Sequence, residues 1–153
     1  MANFEVNMHS TEIKVRGYHL DVYQHVNNAR YLEFLEEARW SFFEGYPLTQ
    51  TVHEQKLAFV LVNININYRR PAFLNELLQI HTKISKIGNK SCTVQQLILE
   101  SESKQVVADA EITFCVLNQE THKAVSIEGE VRQVLEAMYQ ADAVDKEILM
   151  PSN

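Results

Sequence analysis

Cysteine is scarce in this 153-residue chain, which carries only Cys92 and Cys115. They lie far apart inside apolar runs and lack metal-ligand spacing, so they read as two buried thiols of a reducing compartment. Glycine and proline are also few, at four and three, and no Gly/Pro-rich or low-complexity stretch marks a linker. No apolar run reaches the ~20 residues of a membrane-spanning helix. The opening residues Met1-Ala2-Asn3-Phe4-Glu5 have neither the basic nor the apolar segment of a signal peptide, which sets the expectation of a cytoplasmic protein. A Gly-x-Ser-x-Gly elbow, a Gly-rich phosphate loop and a dinucleotide fingerprint are all missing, which argues against a serine triad of the α/β-hydrolase type. The formal net charge is −6, the wrong sign for a general nucleic-acid binder, whose affinity rests on phosphate contacts.

What is present is ordinary globular composition, 46% hydrophobic and 22% charged, enough for one core and one domain over residues 1–153. Periodicity sorts the elements. Residues 11–16 alternate, with Ile13 and Val15 against Lys14 and Arg16, and predict a short strand; residues 17–26 show no period and predict a loop. Asn27-Asn28 is a good helix start, because a short polar side chain accepts from the free N–H groups of the first turn. From there to Phe43, Tyr31, Leu35, Ala38 and Phe42 recur at helical spacing, and Gly45 then Pro47 end the run.

Four strands are expected next. In residues 58–69, Val60, Val62, Ile64, Ile66 and Tyr68 are assigned to one face and Asn63, Asn65, Asn67 and Arg69 to the other. Residues 77–87 and 91–100 form a hairpin about Gly88-Asn89, and residues 105–117 alternate again. Val131, Val134, Leu135 and Met138 predict a short C-terminal helix, followed after about residue 140 by a polar tail without fixed structure. The order predicts an α+β domain, an antiparallel sheet with one long helix packed on its face.

The segment from Arg16 to Tyr31 carries the chemistry. It sets Asp21 a few residues upstream of a helix N-terminus, where unpaired N–H groups and a partial positive charge favour a developing anion. Such an end can hold the oxyanion formed when a thioester is attacked, while the carboxylate attacks or deprotonates a water.

The pattern Asp21-x-x-x-His25-Val26-Asn27-Asn28-x-x-Tyr31-Leu32, continued by Ala38-Arg39, by Asn67-Tyr68-Arg69-Arg70-Pro71-Ala72 and by Gly88-Asn89-Lys90-Ser91, resembles the 4-hydroxybenzoyl-CoA thioesterase branch of hotdog proteins. Roughly residues 11–138 are similar to its bacterial long-chain acyl-CoA thioesterases. The resemblance implies a hotdog fold, with the sheet wrapped around the long helix. It also implies a homodimer or homotetramer with active sites at the subunit interface, and acyl-CoA as substrate without metal or organic cofactor. It implies Asp21 as nucleophile or base, the Asn28 backbone N–H as oxyanion donor, and His25 beside them. Many relatives have glycine where this chain has Gln24, whose side chain would narrow the mouth or reach the substrate.

Each residue also has a plainer reading. Asp21 taken alone is a loop or capping residue, His25 a histidine tying loop to helix, and Tyr31 a core residue or a substrate contact. Arg69, Arg70 and Lys90 are candidate phosphate ligands or solvated strand ends, and Ser91 joins them through the hairpin motif. His19, Asp21 and His25 lack a further ligand to complete a metal site. Asp109 and Glu111 read as a solvated face. Two rival functions stand beside hydrolysis. Hotdog enoyl-CoA hydratases and dehydratases have four residues between their acid and histidine, against three here; a non-catalytic acyl-CoA or acyl-carrier-binding module would bind thioester without releasing thiol.

Overall fold

The computed structural model describes residues 9–149, with side chains for residues 9–141. Five strands, β1 (His9–Lys14), β2 (Leu57–Tyr68), β3 (Leu77–Ile87), β4 (Ser91–Glu100) and β5 (Val106–Asn118), form one sheet in the order β1-β3-β4-β5-β2. Every neighbouring pair is antiparallel. Three helices accompany them: α1 (Asn28–Glu44), α2 (Leu48–Glu54) and α3 (Gly129–Leu149).

The long helix forms where expected, and its start is capped as the sequence suggests: the Asn27 side-chain oxygen accepts from the Ala29 N–H at 2.9 Å. Tyr31, Phe34, Leu35 and Ala38 are buried from α1 against Leu78, Ile80, Ile98, Ala108, Ala110 and Ile112 of the sheet. This is the α+β arrangement with the sheet curved about one helix. A second cluster joins Phe42, Leu48, Ile84, Val116, Val131, Leu135 and Met138, so α2 and α3 cover the other end of the same face.

Four details depart from expectation. The first strand sits two residues earlier, and Val15, wholly buried, follows it. Helix α2 occupies a stretch for which the sequence predicts no element; Leu-Thr-Gln-Thr-Val-His-Glu is short and contains three β-branched residues. Helix α3 is longer than the short helix expected, and it continues through the region read as a polar tail. Strand β2 has a bulge: Leu61 pairs with Phe114 and Asn63 with Thr113, which leaves Val62 extra. One extra residue reverses the face of everything before it. Val60 and Val62, assigned to the same face as Ile64 and Ile66, are therefore exposed at 37% and 54%, while Leu57 and Phe59 pack inward. Beyond the bulge Ile64 and Ile66 face the core as expected. Both cysteines are free; burial pushes the Cys92 thiol up to about 12, whereas Cys115 is only half-buried.

Candidate active site

Residues 17–27 fold as a short 3-10 turn over Gly17–His19 and a tight loop tied down by its own main chain. The Asp21 N–H donates to the His25 carbonyl at 2.9 Å, and the Gln24 N–H donates to the Asp21 carbonyl at 3.0 Å. The Val26 N–H reaches the Ala72 carbonyl at 3.0 Å, and the Asn27 N–H reaches the His19 carbonyl at 2.9 Å. One Asp21 carboxylate oxygen accepts from the Tyr23 N–H at 2.8 Å, an Asx turn. Among the described residues the other oxygen has no partner. Gln24 takes φ 64°, the left-handed region that glycine enters without cost.

The loop sets Asp21 at the wall of a cavity of about 360 Å³, also lined by His25, Val26, Asn28, Tyr31, Tyr68, Arg69, Arg70 and Pro71. Six of the residues singled out from the sequence are thus brought together: Asp21, His25, Asn28, Tyr31, Arg69 and Arg70. Asn28 is the first residue of α1, where an N–H has no intrahelical acceptor, and no described group accepts from it. The helix end and the carboxylate therefore face one space. The His25 ring lies edge-on to Phe73 with centroids 5.2 Å apart, and no hydrogen bond joins it to Asp21.

The remaining residues hold the frame. Tyr31 is buried, and its hydroxyl accepts from the Ala72 N–H at 3.0 Å; burial raises its pKa, so it stays a neutral phenol. Arg70 makes a bidentate pair with Glu76 at 2.7 and 2.8 Å and also donates to the Pro71 carbonyl. That hydrogen-bonded pair lowers the Glu76 pKa and raises that of Arg70. Arg69 Nε donates to Asp109 at 2.7 Å, and Asn67 donates to the other Asp109 oxygen at 3.0 Å. Asp109 thus has a partner on β2 rather than facing solvent alone, and Arg69 draws its pKa down.

Three sequence candidates lie off the cavity. Gln24 is exposed outside its lining. Lys90 and Ser91 sit at the tip of the β3–β4 hairpin, where the Gly88 N–H donates to the Ser91 carbonyl at 2.7 Å. Tyr68 is level with Ala108 and Ile98 across the sheet, and Ser91 lies seven residues from Ile98, about 23 Å at strand rise. Within one chain they are at the far end. Conversely, Tyr68, placed by sequence on one strand face and within a motif but not named as a site residue, is 47% exposed, and its hydroxyl donates to the Asn28 carbonyl at 3.3 Å. Its place beside Arg69-Arg70-Pro71 was the available signal. Among the described residues no group of three or more His, Cys, Asp or Glu is placed to hold a metal ion.

The sequence profile of the thioesterase-like superfamily matches residues 15–135, most of the chain. The chain belongs to this superfamily. It is 56% identical over 128 residues to the Escherichia coli long-chain acyl-CoA thioesterase FadM, covering 84% of this chain and 97% of that protein. The crystal structure of the Escherichia coli probable thioesterase YbaW superposes on this superfamily member with a TM-score of 0.81 at 55% identity, covering 86% of this chain and 98% of that one. A 1,4-dihydroxy-2-naphthoyl-CoA thioesterase from Synechocystis has a TM-score of 0.74 at 18% identity over 84% and 95% of the two chains, and that likeness concerns the fold alone. The fold of this thioesterase-like chain is the hotdog.

Proposed function

We propose that the protein hydrolyses acyl-CoA thioesters, long-chain ones in particular, to free acid and coenzyme A. The observation that carries this reading is the meeting of the Asp21 carboxylate and the unengaged Asn28 N–H at one cavity. The thioester carbonyl binds with its oxygen at the start of α1, where the N–H and the helix dipole stabilise the charge that develops. Asp21 attacks the carbonyl carbon, or takes a proton from a water that does. The C–S bond breaks and the thiolate leaves and is protonated; by the first route a water then hydrolyses the acyl–Asp21 anhydride, and by either route the free acid departs. Oxygen-labelled water in a single turnover separates the two routes, since only direct attack places label in Asp21.

Coenzyme A enters at Tyr68–Pro71. Arg69 is exposed enough to exchange Asp109 for a phosphate, whereas Arg70, held by Glu76, shapes the mouth. We place the enzyme in the cytoplasm, where coenzyme A thioesters are made and consumed.

A homodimer completes the assignment. Among the described residues, β2 is a free edge of twelve residues on which Val60, Leu61 and Val62 are exposed, a surface that monomers normally guard. Antiparallel pairing of two such edges about a twofold axis reverses the second sheet. The partner subunit's Lys90 and the partner subunit's Ser91 then come to the same end as this chain's Tyr68 and Pro71, which supports their role as coenzyme A contacts. The test is thiol release from a long-chain acyl-CoA by the wild-type protein and by Asp21→Asn. Rapid release by the first and about a thousandfold less by the second, with the melting curve unchanged, is the expected result. Near wild-type turnover by Asp21→Asn refutes the assignment, and loss of an enoyl-CoA's conjugated absorbance without thiol release would make the protein a hydratase.

A further inference from the structure

A second cavity, of about 300 Å³, lies between α1, α2 and the start of β2, walled by Arg39, Trp40, Phe43, Leu48, Val52 and Phe59. It is largely apolar, and its position relative to the reacting groups is set by the helix. At 100° per residue, Asn28, Leu32, Arg39 and Phe43 fall within about 60° of one another on α1. The flank that begins at the oxyanion donor therefore ends at this cavity.

Strand β2 runs alongside in the opposite direction. Its last residue, Tyr68, donates to the Asn28 carbonyl at 3.3 Å, and its third, Phe59, walls the cavity with Arg39 and Phe43. Between these ends the apolar side chains are only half covered: Leu32 on α1, Ile64 and Ile66 on β2 and Phe114 on β5. Helix and strand thus form two rails of an apolar groove from the reacting groups to the cavity. The far wall carries the buried Arg39, which donates to Gln96 at 3.1 Å and stands 5.7 Å from the Phe114 ring centre. No described carboxylate lies within ion-pair distance of Arg39, so a polar wall closes the apolar space.

We propose that this cavity receives the far end of the acyl chain, so that α2 sets the chain length the enzyme accepts. The inference rests on the thioesterase reading and deepens it. From Asn28, Arg39 is eleven residues along α1 and Phe43 fifteen, about 16 and 22 Å. Extended carbon–carbon bonds of 1.52 Å advance about 1.25 Å each along a zigzag chain. The groove accordingly fits acyl chains of about 13 to 18 carbons. Shorter chains leave the cavity unfilled, and longer ones meet the wall.

The test is kcat/KM for saturated acyl-CoAs from six to eighteen carbons, with the wild-type protein, Thr49→Trp and Trp40→Ala. Thr49 is exposed on α2 and lines the cavity, so a larger side chain there fills the space without disturbing the core. Thr49→Trp is expected to cut kcat/KM for the sixteen-carbon substrate by about tenfold or more while leaving the six-carbon one within about twofold. Trp40→Ala, at the exposed mouth, moves the optimum towards longer chains and keeps the test decisive if Thr49→Trp folds poorly. An unchanged profile in both variants, or a uniform fall at every length, overturns the proposal. So does a changed oligomeric state with an unchanged profile, which would give the cavity to a second copy. If the wild-type protein releases no thiol at any length, the thioesterase reading itself fails; a wild-type enzyme whose activity does not depend on chain length sinks the gauge alone.

Discussion

Residues 17–27 and residues 69–76 meet at the mouth of the first cavity and both are tied by main-chain hydrogen bonds, but only the second adds a buttress of charged side chains, Arg70 with Glu76. In the loop, four backbone hydrogen bonds and one Asx turn position Asp21, while Tyr18, Val22 and Tyr23 project outward at 71%, 86% and 76% exposure. In the other segment, Arg70 and Glu76 form a half-buried bidentate pair, Glu76 also accepts from the Phe73 N–H at 2.8 Å, and Ala72 donates to the buried Tyr31 hydroxyl. The difference is instructive. In the loop one Asp21 carboxylate oxygen is left without a partner among the described residues because main-chain bonds do the holding, whereas the Arg70 and Glu76 side chains are committed to structure. Changes at Asp21 should therefore alter chemistry, and changes at Arg70 or Glu76 should alter stability.

The largest separation is expected from Asp21→Asn set against Glu76→Gln. The first lowers turnover about a thousandfold without moving the denaturant midpoint. The second lowers stability by about 1–3 kcal/mol, because the Arg70 guanidinium loses its charged acceptor in a half-buried site, and its loss of turnover is much smaller. Equal effects of both variants on both readouts would abolish the distinction.

Acid sharpens the same contrast. The Glu76 pKa is lowered from the ordinary 4.5 by its hydrogen bond to Arg70. The pair's stabilisation is therefore complete above 4.5 and is lost as pH falls through the lowered value. Denaturation curves of the wild type and of Glu76→Gln should converge below pH 4.5 and separate above it.

Asn28→Ala is expected to cost less than about tenfold in kcat, since the backbone N–H that faces the cavity remains while removal of such a donor would cost far more. Smallest of all is Gln24→Gly. It relieves the left-handed backbone at φ 64° but adds chain entropy to the unfolded state, for a net gain of up to about 1 kcal/mol in chemical denaturation.

Much of the candidate site was legible because its parts lie close in sequence: Asp21, His25 and the Asn27–Asn28 helix start fall within eight residues. The Tyr68–Pro71 wall was legible only as a motif, since contact across forty residues leaves no periodic trace. Both arginines read as candidate phosphate ligands, because nothing local reveals that Asp109 and Glu76 hold them. The β2 bulge was hidden for a different reason. Val60, Leu61 and Val62 are apolar without interruption, so the alternation remains plausible in either phase until pairing with β5 exposes the extra residue. Helix α2, with seven residues and no apolar stripe of its own, forms through contact with α1, α3 and β2; context decides it, not propensity.

The order β1-β3-β4-β5-β2 places two strands that are neighbours in the chain at opposite borders of the sheet. Strands β3, β4 and β5 are a meander whose turns bring near residues together, whereas β2 must join Leu57 to Asn118 and Tyr68 to Ala108. Bringing distant residues together costs loop entropy before any contact repays it. Folding is thus expected to begin in the meander and to seat β2 last. Truncations such as Ile98→Val should slow refolding, while Ile66→Val should chiefly speed unfolding. The groove between α1 and β2, and with it the enzyme's capacity to act, would then be the last part of the molecule to exist on the way in and the first to be lost on the way out.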